Sequence, residues 1–147
     1  MRRLLYFAFA LAAIGAPVVF AAGPDEPAAR DAVDRFARAL LRRDVSLLRP
    51  LLPDKGKVQL KLVRMGPEDG FFSASQVEAL LRDFLALGSV ERFEATRIEY
   101  DPQGVALASA RVELKDAEGG TATVGLHLAF QPEGNAWVLR EIRETTR

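Results

Sequence analysis

The second half of the chain carries four consecutive runs of β-type residues, and these runs constrain the fold more than any other feature. They are Val90–Tyr100, Val105–Leu114, Thr121–Phe130 and Ala136–Glu144, each long enough for a full strand. Apolar and polar residues alternate along them, as is typical of strands that bury one face. Short turn sequences rich in glycine and proline separate the runs. The pattern predicts an antiparallel meander.

The turn sequences predict how neighbouring strands pair. Asp101-Pro102-Gln103-Gly104 suits a three-residue hairpin loop with a glycine bulge, which pairs Asp101 with Val105. That loop places two sets of residues on one face, namely Thr96, Ile98 and Tyr100 beside Ala110, Ala108 and Ala106. The next loop, through residues 117–120, must contain three or five residues, because an even number would turn one apolar strand face to water.

The third and fourth strands can be assigned an inner and an outer face by the same alternation. The core face of the third strand is expected to consist of Ala122, Val124, Leu126, Leu128 and Phe130. The turn Gln131-Pro132-Glu133-Gly134 repeats the form of the first one. It predicts that Val138 and Ile142 point inward while Trp137 and Leu139 point outward, although a single bulge in the last strand would reverse this assignment.

Helices and one early strand are expected before the meander. Helical spacing begins at Ala28, and Asp44 is placed to cap a second, short helix. Lys57–Val63 alternates and predicts a strand separate from the later meander. Ser73 and Gln76 have the spacing of a capping box at the start of a helix that runs through Leu87. We therefore expect an α+β domain with helices on one face of a curved antiparallel sheet of about five strands.

The first 21 residues have the pattern of a secretory signal peptide. Arg2 and Arg3 precede an apolar run that ends in Val19-Phe20-Ala21, a small-residue cleavage pattern. An uncleaved membrane anchor is the alternative, and membrane contact is expected only through this segment. Residues 22–27 are expected to be a linker and residues 28–147 a single domain. The signal pattern leads us to expect a periplasmic or secreted protein, and because the chain contains no cysteine we expect it to have no disulfides.

Three sequence segments resemble a known family. They are Phe72-Ser73-Ala74-Ser75-Gln76-Val77-Glu78, Arg82-Asp83-Phe84 and Trp137-Val138-Leu139-Arg140-Glu141-Ile142. Together with the order of elements over residues 28–144, they resemble an uncharacterised secreted bacterial family with the nuclear-transport-factor-like cone, a cystatin-like α+β fold. The resemblance implies that fold, which ketosteroid isomerases and polyketide cyclases share. It does not imply a function, because this cone hosts enzymes and binding modules alike.

The chemistry-bearing residues give little support to catalysis. Tyr100 is the only tyrosine after the signal segment, and His127 is the only histidine, so neither has a second residue of its type to act with. We expect no catalytic, cofactor-binding or metal-binding residues. The formal net charge is zero, which argues against nucleic acid as a partner.

The leading hypothesis is an exported, non-enzymatic domain that binds a partner protein or a small apolar or anionic ligand. Residues expected to line its pocket are Phe72, Phe84, Tyr100, Leu126 and Arg140. Residues expected at an outer interface, which would form a homodimer, are Trp137, Leu139, Ala129 and His127. The alternatives are an isomerase or cyclase that uses Tyr100, Arg140 and an acid of the Asp69 loop, and a structural subunit of an envelope complex.

Overall fold

The computed structural model describes residues 26–66 and 68–145. Helix α1 spans Glu26–Leu41 and is followed by a 3₁₀ helix at Val45–Leu51. Strands β1 (Val58–Lys61) and β2 (Asp69–Phe72) precede helix α2 (Ala74–Leu87). Four longer strands then complete the chain: β3 (Gly88–Tyr100), β4 (Ala106–Asp116), β5 (Thr121–Glu133) and β6 (Ala136–Thr145). The α+β class and the four-stranded meander predicted from the sequence are confirmed, whereas the predicted signal segment, residues 1–21, lies outside the described residues.

All six strands form one curved sheet in the order β2-β1-β6-β5-β4-β3. The meander pairs antiparallel throughout, but β1 pairs parallel with β6, so that Leu60 lies opposite Ile142. The prediction that the early strand is separate from the meander is therefore wrong. Strand β2, where only a loop was expected, pairs antiparallel with β1 and makes the sheet one strand larger than predicted.

The helices cover the inner face of this sheet because each has one apolar stripe. Helix α1 buries Ala29, Val33, Phe36 and Leu40 among others, and the Phe36 ring lies 6.1 Å from that of Phe93 on β3. Helix α2 starts with the predicted capping box, in which Ser73 and Gln76 each accept a backbone N–H of the other. None of the helices formed by residues 26–66 and 68–145 has the length and apolarity needed to cross a membrane.

The first two hairpins have the same loop. Asp101 and Val105 pair through a backbone hydrogen bond of 3.0 Å, and Gly104 takes a φ of 80°. Asp116 and Gly120 pair in the same way, with Gly119 at a φ of 84°. In both loops the aspartate Oδ1 accepts two backbone N–H groups, those of Gln103 and Val105 or those of Glu118 and Gly120. The three-residue loop predicted for the first hairpin is confirmed, and the second loop has three residues, which is one of the two lengths predicted for it.

The third hairpin differs from its prediction. Glu133 pairs with Ala136, so the loop contains only Gly134 and Asn135, with Gly134 at a φ of 60°. Farther along, Phe130 lies opposite Leu139 and Ala129 opposite Glu141, which leaves Arg140 as a bulge without a partner on β5.

The shorter loop and the Arg140 bulge reverse the faces at the start of β6. Trp137 and Leu139 are buried in the core at 5% and 0% exposure. Val138 is also buried, at 7% exposure, but it lies opposite Gln131 on the outer side of the sheet and does not belong to the core cluster. The outward orientation predicted for Trp137 and Leu139, and the inward one for Val138, are wrong. Ile142 is inward as predicted, since it lies beyond the bulge and opposite Leu128.

A second bulge changes one pairing on β3. Ile98 and Tyr100 lie opposite Ala108 and Ala106, as predicted, but Ala95 rather than Thr96 lies opposite Ala110. The chain accommodates the extra residue at Thr96, whose hydroxyl donates to the Ser109 carbonyl at 3.1 Å. The predicted core face of β5 is largely confirmed, with Val124, Leu126, Leu128 and Phe130 buried and Ala122 half-buried.

Candidate functional site

A cavity of about 540 Å³ lies between helix α2, residues 63–66 and 68, and the hairpin that joins β4 to β5. We call it the inner cavity. Its apolar lining consists of Val63, Met65, Leu80, Phe84, Leu87, Leu114 and Ala122. Its volume and its apolar walls are those of a typical small-molecule site in proteins.

The inner cavity exists because α2 has more apolar surface than the sheet covers. Val77, Leu81 and Leu85 are buried against the sheet. Leu80 and Phe84 sit beside them on the same helix but are only half-buried. Leu87, in the last turn, is 74% exposed and lines the same concavity. The apolar side chains on this flank of the helix therefore face an open space instead of the core.

Charged side chains surround the cavity without neutralising one another. Arg64, Glu68, Asp83 and Lys115 contribute to the lining, and none of them forms an ion pair or a side-chain hydrogen bond with residues 26–66 or 68–145. Asp116 is different, because its carboxylate is engaged by the backbone of the hairpin loop. The rim can therefore meet a polar group of either charge, while the wall suits an apolar body.

Residues 63–65 form one wall of the cavity, and their backbone is hydrogen-bonded to Glu144 on the inner face of β6. One of its carboxylate oxygens, Oε2, accepts the backbone N–H groups of Val63, Arg64 and Met65 at 2.8, 2.8 and 3.1 Å. The residue is 5% exposed, and its Oε1 has no hydrogen-bond partner in the part of the chain that the structure describes. Three bonds from consecutive N–H groups form an anion-binding concavity that fixes this loop to the sheet.

Several solved structures have a similar architecture. A proposed dehydratase of the NTF2-like family from Streptomyces avermitilis superposes with a TM-score of 0.63 at 17% identity, over 82% of this chain and 95% of the other. A proposed isomerase from Bacillus subtilis gives a TM-score of 0.65 at 11% identity, over 80% and 85%. An NTF2-like protein from Cytophaga hutchinsonii gives 0.58 at 13% identity, over 81% and 95%. The chain has the nuclear-transport-factor-like fold.

Comparison with protein-family models gave no match, and comparison with curated proteins gave none either. The similarity to the solved structures therefore concerns the nuclear-transport-factor-like fold alone. The particular secreted family that the sequence resembles stays a prediction. What this nuclear-transport-factor-like chain binds must be argued from its own residues.

The nuclear-transport-factor-like fold does not bring the five predicted pocket residues together. Phe84 lines the inner cavity, whereas Phe72 is half-buried against the core. Tyr100 lies at the far end of β3, where its ring is 6.1 Å from that of Trp137. Leu126 is a core residue at 1% exposure. Arg140 contacts Gln131, Glu133 and the carbonyl of Lys55, so it fastens the loop before β1 to the end of β5.

The residues proposed for an isomerase or cyclase are also separated. Tyr100 is on β3 and Asp69 on β2, which are the two edge strands of the six-stranded sheet. Arg140 is engaged elsewhere, as described above. Of the four residues predicted for an interface, Trp137 and Leu139 belong to the core, while Ala129 and His127 are on the outer face. Among the residues with described positions, no cluster of three His, Asp or Glu side chains could hold a metal ion.

Glu144 is the residue that sequence reasoning missed. It shares the alternation of Ile142, two residues earlier, and Ile142 was correctly expected to face inward. That spacing was the available signal, and it places a carboxylate inside the sheet. The segment 63–65, which lies more than 75 residues away and supplies the partners, had no comparable signal.

Proposed function

We propose that this chain is a binding domain that holds a small, largely apolar ligand in the inner cavity. The observation that supports the proposal is the composition of the wall, in which Leu80, Phe84 and Leu87 of α2 face Leu114 and Ala122 of the sheet. Transfer of an apolar ligand from water to such a wall is favourable by about 25 cal/mol for each Å² of apolar surface buried. The charged rim would orient a ligand that carries one polar end.

The arrangement favours binding over catalysis. Glu144, the buried carboxylate next to the cavity, directs one oxygen at three backbone N–H groups and thereby holds the wall. Asp83, the carboxylate that adjoins Phe84, is exposed to water at the rim. The fold neighbours include proposed isomerases and dehydratases, but those assignments concern residues of those proteins and not of this chain.

Binding can be tested by filling the cavity from the sheet side. The full-length chain would be expressed with its own leader, and the purified protein would be titrated with an uncharged apolar fluorophore such as N-phenyl-1-naphthylamine. The variant Ala122→Phe places a ring in the cavity, and we expect it to weaken fluorophore binding at least tenfold. Ala129→Phe adds the same ring to the same strand but on the outer face, and we expect it to leave binding unchanged.

Native mass spectrometry of the same preparations would identify any small molecule that the wild-type protein retains. A retained compound that is lost in Ala122→Phe and kept in Ala129→Phe would support the proposal. Equal fluorophore affinity in the wild-type protein and Ala122→Phe would contradict it.

We further propose that the domain works outside the cytoplasm, which rests on the signal-like pattern of residues 1–21. Cell fractionation would compare the full chain with a variant that lacks residues 2–21. We expect the protein made from the full chain to be shortened by signal cleavage and to occur only in the exported fraction. The variant that lacks residues 2–21 should occur only in the cytoplasm. An equal distribution of the two proteins would contradict export.

A further inference from the structure

The two edges of the six-stranded sheet differ in length. Strand β2, at one edge, has four residues, whereas β3, at the other edge, has thirteen and pairs only with β4. Most side chains between Glu91 and Tyr100 are exposed. A long strand with one unpaired side is a template on which another strand can pair. The free side of β3 is therefore the part of the sheet at which a partner is best accommodated.

The hairpin loops show which residues of β3 direct their backbone groups to the free side. Asp101 bonds to Val105, so the odd-numbered residues of β4 bond to β3. Asp116 bonds to Gly120, so the even-numbered residues of β4 bond to β5. Residues of β3 that lie opposite even-numbered positions of β4 therefore direct their N–H and C=O groups away from it, and these include Phe93, Ala95 and Ile98. No hydrogen bond among residues 26–66 and 68–145 reaches the edge-directed groups of these three residues.

Exposed charges of alternating sign cover the outer face of β3. They are Arg92, Glu94, Arg97 and Glu99. Within the strand, Arg92 pairs with Glu94 at 3.5 Å, and Arg97 pairs with Glu99. On β4, a residue of opposite sign lies across from each of the first two, namely Glu113 and Arg111. Edge charges of one sign would keep a second copy away, whereas alternating signs can match a copy that runs antiparallel.

The bulge at Thr96 determines which residues of two antiparallel β3 strands can lie opposite one another. Phe93 and Ala95, before the bulge, are on the inner face, and so is Ile98 after it. In a regular strand Phe93 and Ile98 would face opposite sides, because they are five residues apart. The bulge brings both to the inner face and aligns the outer residues in the same way. Two antiparallel copies can therefore pair about a twofold axis between Ala95 and Thr96, with inner residues opposite inner residues.

We propose that β3 pairs antiparallel with β3 of a second copy of the chain, so that two six-stranded sheets become continuous across a twofold axis. The pairs on each side of the axis are Phe93 with Ile98, Glu94 with Arg97, and Arg92 with Glu99. A shift of two residues in one direction would place Glu94 opposite Glu99. The same shift in the other direction would place Arg92 opposite Arg97. Both shifts bring like charges together, which destabilises the pairing, so the charges specify the register.

This interface is separate from the other surfaces described above. Residues 92–99 do not line the inner cavity, so the interface does not depend on the apolar ligand. The four residues from which the sequence predicted a homodimer interface belong to β5 and β6, and none of them is on β3. Phe93 and Ile98 are half-buried in one copy, and pairing would cover what remains of both side chains.

The proposal can be tested by sedimentation equilibrium of the protein expressed from the full chain, over a range of protein concentrations. Arg97→Glu places a glutamate opposite Glu94 of the second copy, and Glu94→Arg places an arginine opposite Arg97. We expect each variant alone to dimerise at least about tenfold more weakly than the wild-type protein. An equimolar mixture of the two variants should form a heterodimer with at least the wild-type affinity, because every pair then has opposite charges.

Arg143→Glu serves as the matched control. Like Arg97, Arg143 is on the outer face and pairs with a glutamate two residues away in its own strand, but β6 has a strand on each side. Its dimer affinity should equal that of the wild-type protein. An equal loss in Arg143→Glu and Arg97→Glu would place the interface on the outer face of the sheet and overturn the proposal. A wild-type protein that stays monomeric at every concentration, or a mixture that does, would overturn it as well.

Ala95→Pro tests the backbone pairing without a change of charge. Ala95 is exposed and directs its N–H group away from β4, so proline removes an edge donor without removing a bond to β4. We expect this variant to fold and to stay monomeric. In the wild-type protein the amides of Phe93 and Ile98 should exchange hydrogen more slowly as the protein concentration rises, and in Ala95→Pro they should not. A folded Ala95→Pro that dimerises like the wild-type protein, or exchange that is independent of concentration, would overturn the proposal.

Discussion

The inner cavity and a second concavity, of about 650 Å³ on the outer face of the sheet, lie on opposite faces of the same β4–β5 pair, yet their linings differ in polarity. Ala122, Val124 and Leu126 point inward, whereas Thr123, Gly125 and His127 alternate with them and point outward. Helix α2 and residues 63–66 and 68 lie over the inner side, while the outer side has no covering element among the described residues. Because successive strand residues face opposite sides, one strand of thirteen residues supplies an apolar wall and a polar surface at once.

The largest effect that separates the two faces should come from neighbouring residues on β5. Leu128 is 1% exposed and His127 is exposed. Leu128→Ala should lower the free energy of unfolding by about 2–5 kcal/mol, because it removes buried methyl groups and leaves a cavity. His127→Ala should change it by less than about 0.5 kcal/mol, as is usual for surface substitutions.

Urea denaturation of both variants at pH 7 would measure the two values. If His127→Ala cost as much as Leu128→Ala, the outer face would have to be buried, and the description of that face as open to solvent would be wrong. Sedimentation of the wild-type protein in the same buffer would show whether a second copy of the chain covers the outer face.

Buried and exposed carboxylates of β6 offer the second comparison of the two faces. Glu144 is inward and accepts three backbone N–H groups, whereas Glu141 is outward and pairs with Arg143 at 2.6 Å. Glu144→Ala should lower the free energy of unfolding by at least about 2 kcal/mol, since each buried donor left without an acceptor costs about 1–3 kcal/mol. Glu141→Ala removes a surface pair and should cost below about 1 kcal/mol.

Hydrogen exchange would show where the Glu144 substitution acts. The amides of Val63, Arg64 and Met65 should exchange much faster in Glu144→Ala and normally in Glu141→Ala, because only the former loses their acceptor. Glu144→Gln should give an intermediate rate, since the amide oxygen can still accept but carries no charge. Unchanged exchange at all three amides in Glu144→Ala would show that the carboxylate does not hold the cavity wall.

The sequence predicted local structure well because the relevant signals are local. The aspartate and glycine of each three-residue loop lie within four residues of one another, as do Ser73 and Gln76 of the capping box. The parallel pairing of β1 with β6 joins residues some 80 positions apart. Neither strand's alternation specifies that partner, since any strand edge offers the same backbone donors and acceptors.

The site was harder to predict than the fold for the same reason. Trp137 and Leu139 were assigned to the wrong face because the bulge at Arg140 shifts the alternation by one residue, and nothing in the run of residues marks where a bulge occurs. Phe84, which the sequence predicted as a pocket residue, is in the lining of the inner cavity. Its neighbours in the cavity come from residues 63–66 and 68 and from the β4–β5 hairpin, which only the tertiary structure brings to that helix.

The smallest change in the free energy of unfolding should come from Glu78, whose ion pairs lie on the exposed side of α2. Comparing Glu78 with Glu144 tests how much burial adds to the contribution of a carboxylate. Glu78 accepts from Arg49 at 3.0 Å and from Arg82 at 3.0 Å. The hydrogen bond from Arg49, more than the charges of Arg49 and Arg82, holds the pKa of Glu78 below its ordinary value of 4.5. A carboxylate with a lowered pKa in the folded state stabilises the fold fully above that ordinary value, and this contribution is lost as the pH falls through the lowered value.

Glu78→Gln should therefore be slightly less stable than the wild-type protein at pH 7, by less than Glu144→Ala, and the difference should shrink as the pH falls from 4.5 through the lowered pKa of Glu78. Urea midpoints of both proteins, measured from pH 7 to pH 3, would show the convergence. Arg49 is exposed, so water and salt screen the pair, and added salt should shrink the difference at pH 7 as well. A difference that persisted unchanged at pH 3 would mean that Glu78 stabilises the helix by packing and not by its charge.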